Sequence, residues 1–243
     1  MYRILITNDD GISAEGLRRM VIAAKEFGEV WVVAPEGQRS ASSHCINIRT
    51  SLEIHPYDYP VEGVKAYTCS GMPADCVRAG IHYVMPEKPD LVLSGINFGY
   101  NSATDIQYSG TCGAAFEAAF QGIHAIAFSE AACDCHEVAD RYLSEILEEL
   151  IRIPLPYGMI HNVNFPGCSL SGCRGVLRDR AVSRSMFFID SYIEVEKLKD
   201  GGVRVQVEGH HNEKSEEGTD MRALVENYVS VGMVNNVGVK APF

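Results

Sequence analysis

The chain has 243 residues, 46% of them hydrophobic, with 21 Lys and Arg against 32 Asp and Glu for a formal net charge of -11. This length and composition suit an α/β domain, alone or with a subdomain, whose core needs no disulfide staples, and the negative balance disfavours broad contact with nucleic acid or anionic lipid without excluding a small phosphate at one site. With no signal-like opening and no apolar run near the roughly 18 residues of a membrane span, a soluble, cytoplasmic protein is expected, binding neither nucleic acid nor membrane.

The first element is a strand expected over Ile4-Leu5-Ile6, an apolar run suited to a parallel sheet covered on both faces. It runs into Thr7-Asn8-Asp9-Asp10-Gly11, where two adjacent carboxylates repel each other unless a cation compensates them. Asp9 and Asp10 therefore read either as ligands of a divalent ion or as a solvated turn that caps the next helix. Ser13 is expected to cap that helix, whose apolar positions Leu17, Met20, Val21, Ala24 and Phe27 recur at three-and-four spacing. Val30 to Ala34 forms a second strand, and Pro35 stops it before the polar loop Glu36 to Ser43. A strand-helix-strand unit with the usual right-handed crossover gathers both carboxyl-end loops at one edge, so Ser40 can meet Asp9 and Asp10; the plain alternative is a flexible connector.

Ile46 to Ile54 and Val64 to Cys69 read as an antiparallel excursion around the turn-rich Pro56 to Gly63. Pro73 suits the first turn of a helix running through Val77, Ile81 and Val84, where Asp75 serves helix-end electrostatics or, alternatively, catalysis. The strand Leu91 to Leu93 ends in small and amide residues, placing Asn97 and Asn101 on the acidic edge as neutral oxygen donors or as turn formers. Tyr108-Ser109-Gly110-Thr111 then opens an alanine-rich helix. Hydroxyls at Ser109 and Thr111, a glycine for close approach and a helix amino end form a phosphate cradle, with a simple helix cap as the alternative. The nucleotide loop G-x-x-x-x-G-K-[ST] and the dinucleotide fingerprint G-x-G-x-x-G are both absent.

Ile123 to Phe128 and Met159 to Phe165 are further strands, separated by an amphipathic helix over Val138 to Ile151. From about Gly175 the pattern alternates: Tyr192 to Glu196 and Val203 to Val207 form a hairpin turning at Asp200-Gly201, an arm that needs a partner surface. The eight cysteines read as reduced thiols, with Cys45, Cys69, Cys76 and Cys112 in apparently buried segments and a weak metal site around Cys133 and His136 as the lesser reading. The fold class is thus α/β: a Rossmann-like, mostly parallel sheet with helices on both faces and a C-terminal antiparallel hairpin arm.

Four loops carry a resemblance: Thr7-Asn8-Asp9-Asp10-Gly11, the Ala34-Pro35 to Ser40 loop, Ser94-Gly95-Ile96-Asn97 with Gly99 and Asn101, and Tyr108-Ser109-Gly110-Thr111. In order and spacing they resemble the motifs of the SurE survival-protein family of nucleotidases. Weaker matches lie at Gly71 with Pro73 to Val77, at Asn162-Val163-Asn164 with Pro166, and at Glu217 to Asp220 before Tyr228 to Val231. The resemblance implies one domain over residues 1–243, with a catalytic core to about 170 and an arm and oligomerisation region beyond it. It implies a phosphomonoesterase acting on nucleoside 5'- and 3'-monophosphates, with some activity on short polyphosphate, dependent on one divalent ion such as Mg2+ or Mn2+ per subunit. Position by position it assigns the metal to Asp9, Asp10, Ser40 and Asn97, and phosphate contacts to Asn101, Ser109, Gly110 and Thr111. Assembly as a homodimer or homotetramer is implied as well. Asp9, Asp10 and Asn8 are the expected catalytic residues, Asn8 orienting water or phosphate or else shaping the turn. Met72 and the tail Gly232 to Val237 depart from the family pattern and bear on substrate side and assembly.

The alternative from another class is a non-enzymatic phospho-receiver or nucleotide-sensing module, which needs a further aspartate ending its central strand and a lysine ending a later one. Here those strand ends carry Ser94-Gly95 and Phe128-Ser129. An aspartyl-phosphate phosphatase needs an Asp-x-Asp arrangement, which Asn8-Asp9-Asp10 does not supply.

Overall fold

Residues 1–237 are described by the structure, a computed structural model. The apolar opening becomes β1 (Tyr2–Thr7), with Ile4, Leu5 and Ile6 fully buried. Next come α1 (Glu15–Ala24), β2 (Gly28–Pro35), β3 (Ile54–Tyr57), β4 (Lys65–Cys69) and α2 (Pro73–Ala79), which runs on into a π turn at Gly80–Val84. β5 (Leu91–Phe98), α3 (Gly110–Phe120), β6 (His124–Glu130), α4 (Glu137–Leu150) and β7 (Met159–Phe165) complete the alternating part. β8 (Val176–Leu177), the hairpin β9 (Phe188–Lys197) and β10 (Val203–His211), α5 (Asp220–Val225) and β11 (Val229–Asn235) follow.

Among the described residues nine strands form one sheet in the order β3-β4-β2-β1-β5-β6-β7-β11-β8, parallel except where β3 meets β4 and β11 meets β7. α1 and α4 cover one face, packing on Ile4, Ile6, Leu93 and Phe128; α2 and α3 cover the other, over Leu5, Val92 and Ala127. The expected α/β sheet with helices on both faces and an antiparallel hairpin is therefore present. The connections β1–α1–β2 and β6–α4–β7 join parallel pairs and advance in opposite directions, yet their helices share one face. The two crossovers are thus of opposite hand, one of them against the general right-handed preference. Its consequence is that the amino end of α4 arrives beside α1 at the carboxyl edge of the sheet.

Several local expectations change. Ser13 does not cap α1: Ala14 stands at that position with no side-chain bond, because the turn is closed from its backbone to the Gly11 carbonyl. Ile46 to Glu53 is not strand. The Asn47 side-chain oxygen accepts from the backbone N–H groups of Arg49 and Thr50, a local turn that competes with sheet pairing until Ile54. Asp75 does serve the helix end, accepting from the backbone N–H groups of Met72 and Asn47. β5 continues past Leu93 through Asn97, and the departing tail after Val231 stays in the sheet as β11. Cys69, Cys76 and Cys112 are buried as expected, but Cys45 is exposed; all eight thiols are free. No helix among the described residues is long and apolar enough to cross a membrane.

Candidate active site

The sheet order reverses direction at β1, which has β2 on one side and β5 on the other, and the crevice at such a point is where α/β sheets bind ligands. Asp9 and Asp10 follow β1 directly. The two carboxylates diverge: Asp9 turns toward α3, accepting a 2.5 Å hydrogen bond from the Thr111 hydroxyl, while Asp10 accepts from the backbone N–H of Phe98 at 3.0 Å. Asn8 shapes the turn between them, its amide donating to the Gly11 carbonyl and its oxygen accepting from the Gly11 N–H.

Electrostatically the pair is costly. Asp9 is 3% exposed. Burial pushes its carboxyl up to about 6, a rise opposed by the Thr111 hydrogen bond and reinforced by the charge of Asp10. Asp10 is also raised, by burial first, against the Phe98 N–H and with the added repulsion of Glu130. Among the described residues neither acid forms an ion pair, so the compensating positive charge must come from outside the chain for both to be ionised together.

The remaining candidates approach from three loops. Arg39 N–H donates to the Asp9 carbonyl at 2.6 Å, which fastens the serine-rich loop to the turn after β1; Ser40, next in sequence, is exposed, its Oγ accepting from the Gln38 amide at 3.0 Å. Asn97 sits at the end of β5, its amide donating to the Gly99 carbonyl and its backbone adjoining the Phe98 N–H that holds Asp10. Gly110 opens α3 in close contact with Asp9: a Cβ there would stand 2.6 Å from Ser42 Oγ and 3.0 Å from Asp9 Oδ2. Ser109 does cap α3, accepting from Cys112 N–H. That satisfies the plainer expectation for this hydroxyl and takes up the Cys112 N–H at the amino end of the helix. Asn101 lies further along the edge. Its amide donates to Ser129 Oγ and its carbonyl accepts from Asn162 and Asn164, so the two asparagines of β7 hold it in place.

Ser42 escaped the sequence reading. Its Oγ is buried and unpartnered in the space beside Gly110 and Asp9, and the residues on either side of it, Ala41 and Ser43, hold left-handed φ values of 55° and 54°. Such conformations cost non-glycine residues on the order of 1–2 kcal/mol each and persist where the surroundings enforce them. The only hint in the sequence is the density of serines at 40, 42 and 43. His44 and Glu117 were missed too: Glu117 of α3 binds His44 at 2.9 Å and Arg78 at 3.1 Å, clamping the far end of the serine loop to the helix.

These residues fit a divalent ion. Among the described residues no three His, Cys, Asp or Glu side chains stand together as a ready cation site, the region of Cys133 and His136 included. The donors here are instead two acids and neutral oxygens, the chemistry that hard, oxygen-loving cations take. A buried and a half-buried acid without an internal counter-charge and an unpartnered hydroxyl beside Gly110 are the observations that call for a charged ligand.

Residues 4–186 match the family described as Survival protein SurE. The chain is 37% identical over 232 residues to the 5'-nucleotidase SurE of Flavobacterium psychrophilum, covering 94% of this chain and 89% of the relative. To that of Cytophaga hutchinsonii it is 39% identical over 238 residues, covering 94% and 88%. The crystal structure of the SurE protein from Aquifex aeolicus superposes with a TM-score of 0.83 at 30% identity, over 98% of this chain and 95% of that one. With a family match over most of its length and relatives of this closeness, the chain belongs to the SurE survival-protein family.

Proposed function

We propose that this chain is a divalent-metal-dependent phosphomonoesterase that hydrolyses nucleoside 5'- and 3'-monophosphates to nucleoside and phosphate. The observation that carries the reading is the contact between Asp9, Thr111 and Gly110, which sets a buried carboxylate against the amino end of α3. Relatives named 5'-nucleotidase SurE support the substrate class. Asp9, Asp10, Ser40 and Asn97 would hold the ion, Mg2+ or Mn2+, and Ser109, Gly110, Thr111 and Asn101 would hold the phosphate. The bound cation supplies Lewis-acid charge at the phosphoryl group and lowers the pKa of water there.

Each of the chain's own residues has a definite task. Backbone N–H groups opening α3 present donors to phosphoryl oxygens and the helix dipole favours the anion, while the Thr111 hydroxyl, whose proton goes to Asp9, holds that acid beside them. These donors stabilise the charge that develops on the oxygens as the ester bond lengthens. Asp9 and Asp10, held apart by their separate hydrogen bonds to Thr111 and Phe98, are pre-set in direction, and Asn8 keeps the turn that carries them. The eight free thiols fit a reducing, cytoplasmic setting, and the exposed hairpin fits assembly as a homodimer or homotetramer.

The test is phosphate release from a panel of phosphomonoesters with and without Mn2+. Mononucleotides are expected to turn over only with metal, a chelator to silence the enzyme reversibly, and Asp9→Asn or Asp10→Asn to lower kcat by at least about 10³-fold with the fold intact. Undiminished turnover in either variant, or in metal-free protein, overturns the proposal.

A further inference from the structure

A second space adjoins Asp10 on the side away from α3. It is a cavity of about 340 Å³ at the carboxyl edge, enclosed by the start of α1, the ends of β5 and β6, and the amino end of α4. This is the corner that the opposite-hand crossover closes. Arg19 of α1 ties it shut, bonding Glu130 at 2.7 Å and Asp140 of α4 at 2.6 Å, while His136 Nδ1 stands 3.1 Å from the same Glu130 oxygen.

Glu130 is 4% exposed, yet its second oxygen, Oε2, has no hydrogen-bond partner and the residue lines the cavity. A buried carboxyl oxygen left unmatched is destabilising, and a donor from a ligand relieves it. Phe98, half-exposed at 52%, forms part of the wall and offers an apolar face. Asp10, Glu15 and Glu130 outnumber Arg19 among the charged groups, so the cavity favours hydroxyl or amine donors over a second anion. Its volume lies at the lower end of the range for small-molecule pockets and accommodates a nucleoside.

Resting on the nucleotidase reading, we propose that this cavity holds the nucleoside half of the substrate, a ribose hydroxyl donating to Glu130 Oε2 and the base lying against Phe98. The substrate then straddles the sheet edge, phosphate on the Asp9 and α3 side and nucleoside on the Asp10 and α1/α4 side. This division accounts for the divergence of the two adjacent acids.

Binding of adenosine and of inorganic phosphate to the full-length, Mn2+-loaded protein, measured by calorimetry and as product inhibition, tests the assignment. Phe98→Ala and Glu130→Gln are expected to weaken adenosine at least about fivefold and leave inorganic phosphate within about twofold. Wild type is expected to prefer adenosine to 2',3'-dideoxyadenosine at least about tenfold, a preference that Glu130→Gln reduces. If Phe98→Ala, which alters an exposed side chain, binds adenosine as wild type does, or if adenosine and phosphate weaken together in both variants, the assignment is overturned. If instead no monoester is hydrolysed, the nucleotidase reading fails, and the adenosine titrations still decide whether the cavity takes a nucleoside.

Discussion

Asp9 shows why the site is expensive to keep. A carboxyl nearly excluded from water, with a second acid next in sequence and only a threonine hydroxyl as a side-chain donor, is a poor way to stabilise a fold. In metal-free protein Asp9→Asn is accordingly expected to hold or raise the melting temperature while activity disappears, and a fall of several degrees would mean that Asp9 is structural. Gly110 is constrained in the complementary sense. Alanine at that position favours the start of a helix by up to about 1 kcal/mol, a gain that offsets the displacement it causes. Its Cβ, however, would stand 2.6 Å from Ser42 Oγ and force the serine loop away from Asp9. Gly110→Ala should therefore lose on the order of 10²-fold in kcat with an unchanged thermal melt; activity near wild type would show that this approach does not matter. The acids and this glycine were legible in the sequence because they interrupt apolar strands with groups that those strands do not need. Ser42 and Glu130 were not, since a serine in a serine-rich loop and a glutamate ending a strand carry no pattern until their unmatched atoms are located in space.

Between elements, the same division between what patterning encodes and what it leaves open recurs. Strand periods locate β1, β2 and β7 closely, because burial on a face dictates them, whereas alternation places the exposed arm but covers about half its length: β9 and β10 extend over Phe188–Lys197 and Val203–His211. Periodicity carries no information on crossover hand, so the placement of α4 beside α1, and the cavity it closes, became visible only in the fold. Nor does it reveal the clasp between α3 and the serine loop. Burial alone would raise Glu117, but hydrogen bonds from His44 and Gln121 and the charge of Arg78 outweigh it and hold the carboxyl down at about 2. A carboxyl depressed in the fold contributes stability above its unfolded pKa near 4.5 and loses that contribution as pH falls toward 2. Glu117→Gln is thus expected to cost about 1–3 kcal/mol at neutral pH, since His44 and Arg78 lose their partner. The gap between wild type and variant, read from denaturant unfolding, should stay constant down to about pH 5 and narrow below it. A gap that is absent at pH 7, or that widens on acidification, would discard the clasp. The variant should also lower kcat by about tenfold, because the loop bearing Ser40 and Ser42 is released at its far end.

The whole molecule leaves one surface unexplained by its own core, the β9–β10 arm. Val203, Val205 and Val207 of β10 project to the same side, with Tyr192 opposite Val207 and the charged Lys197 and Glu194 opposite the other two, so one face of the ribbon carries an apolar row bordered by charges. Tyr192 is 65% exposed and the three valines are about half exposed. A two-stranded ribbon is marginal in water by itself, and a stripe of this kind on a monomer favours association. The net charge of -11 does not oppose this strongly, because screening within roughly 8 Å at physiological salt leaves close apolar contacts dominant. A second copy of the chain is the most economical cover, since a two-fold axis matches a self-complementary stripe with itself. The protein is therefore expected to sediment at micromolar concentration as a dimer or tetramer. Val205→Lys combined with Val207→Lys should yield a monomer whose nine-stranded sheet still gives native far-ultraviolet dichroism, because the arm pairs only within itself. A monomeric wild type would refute assembly, and a double variant that stays assembled would move the contact elsewhere on the molecule. If the variant is monomeric and still releases phosphate at the wild-type rate, each copy carries a complete catalytic edge, as the placement of every candidate residue between β1 and α3 of a single chain implies.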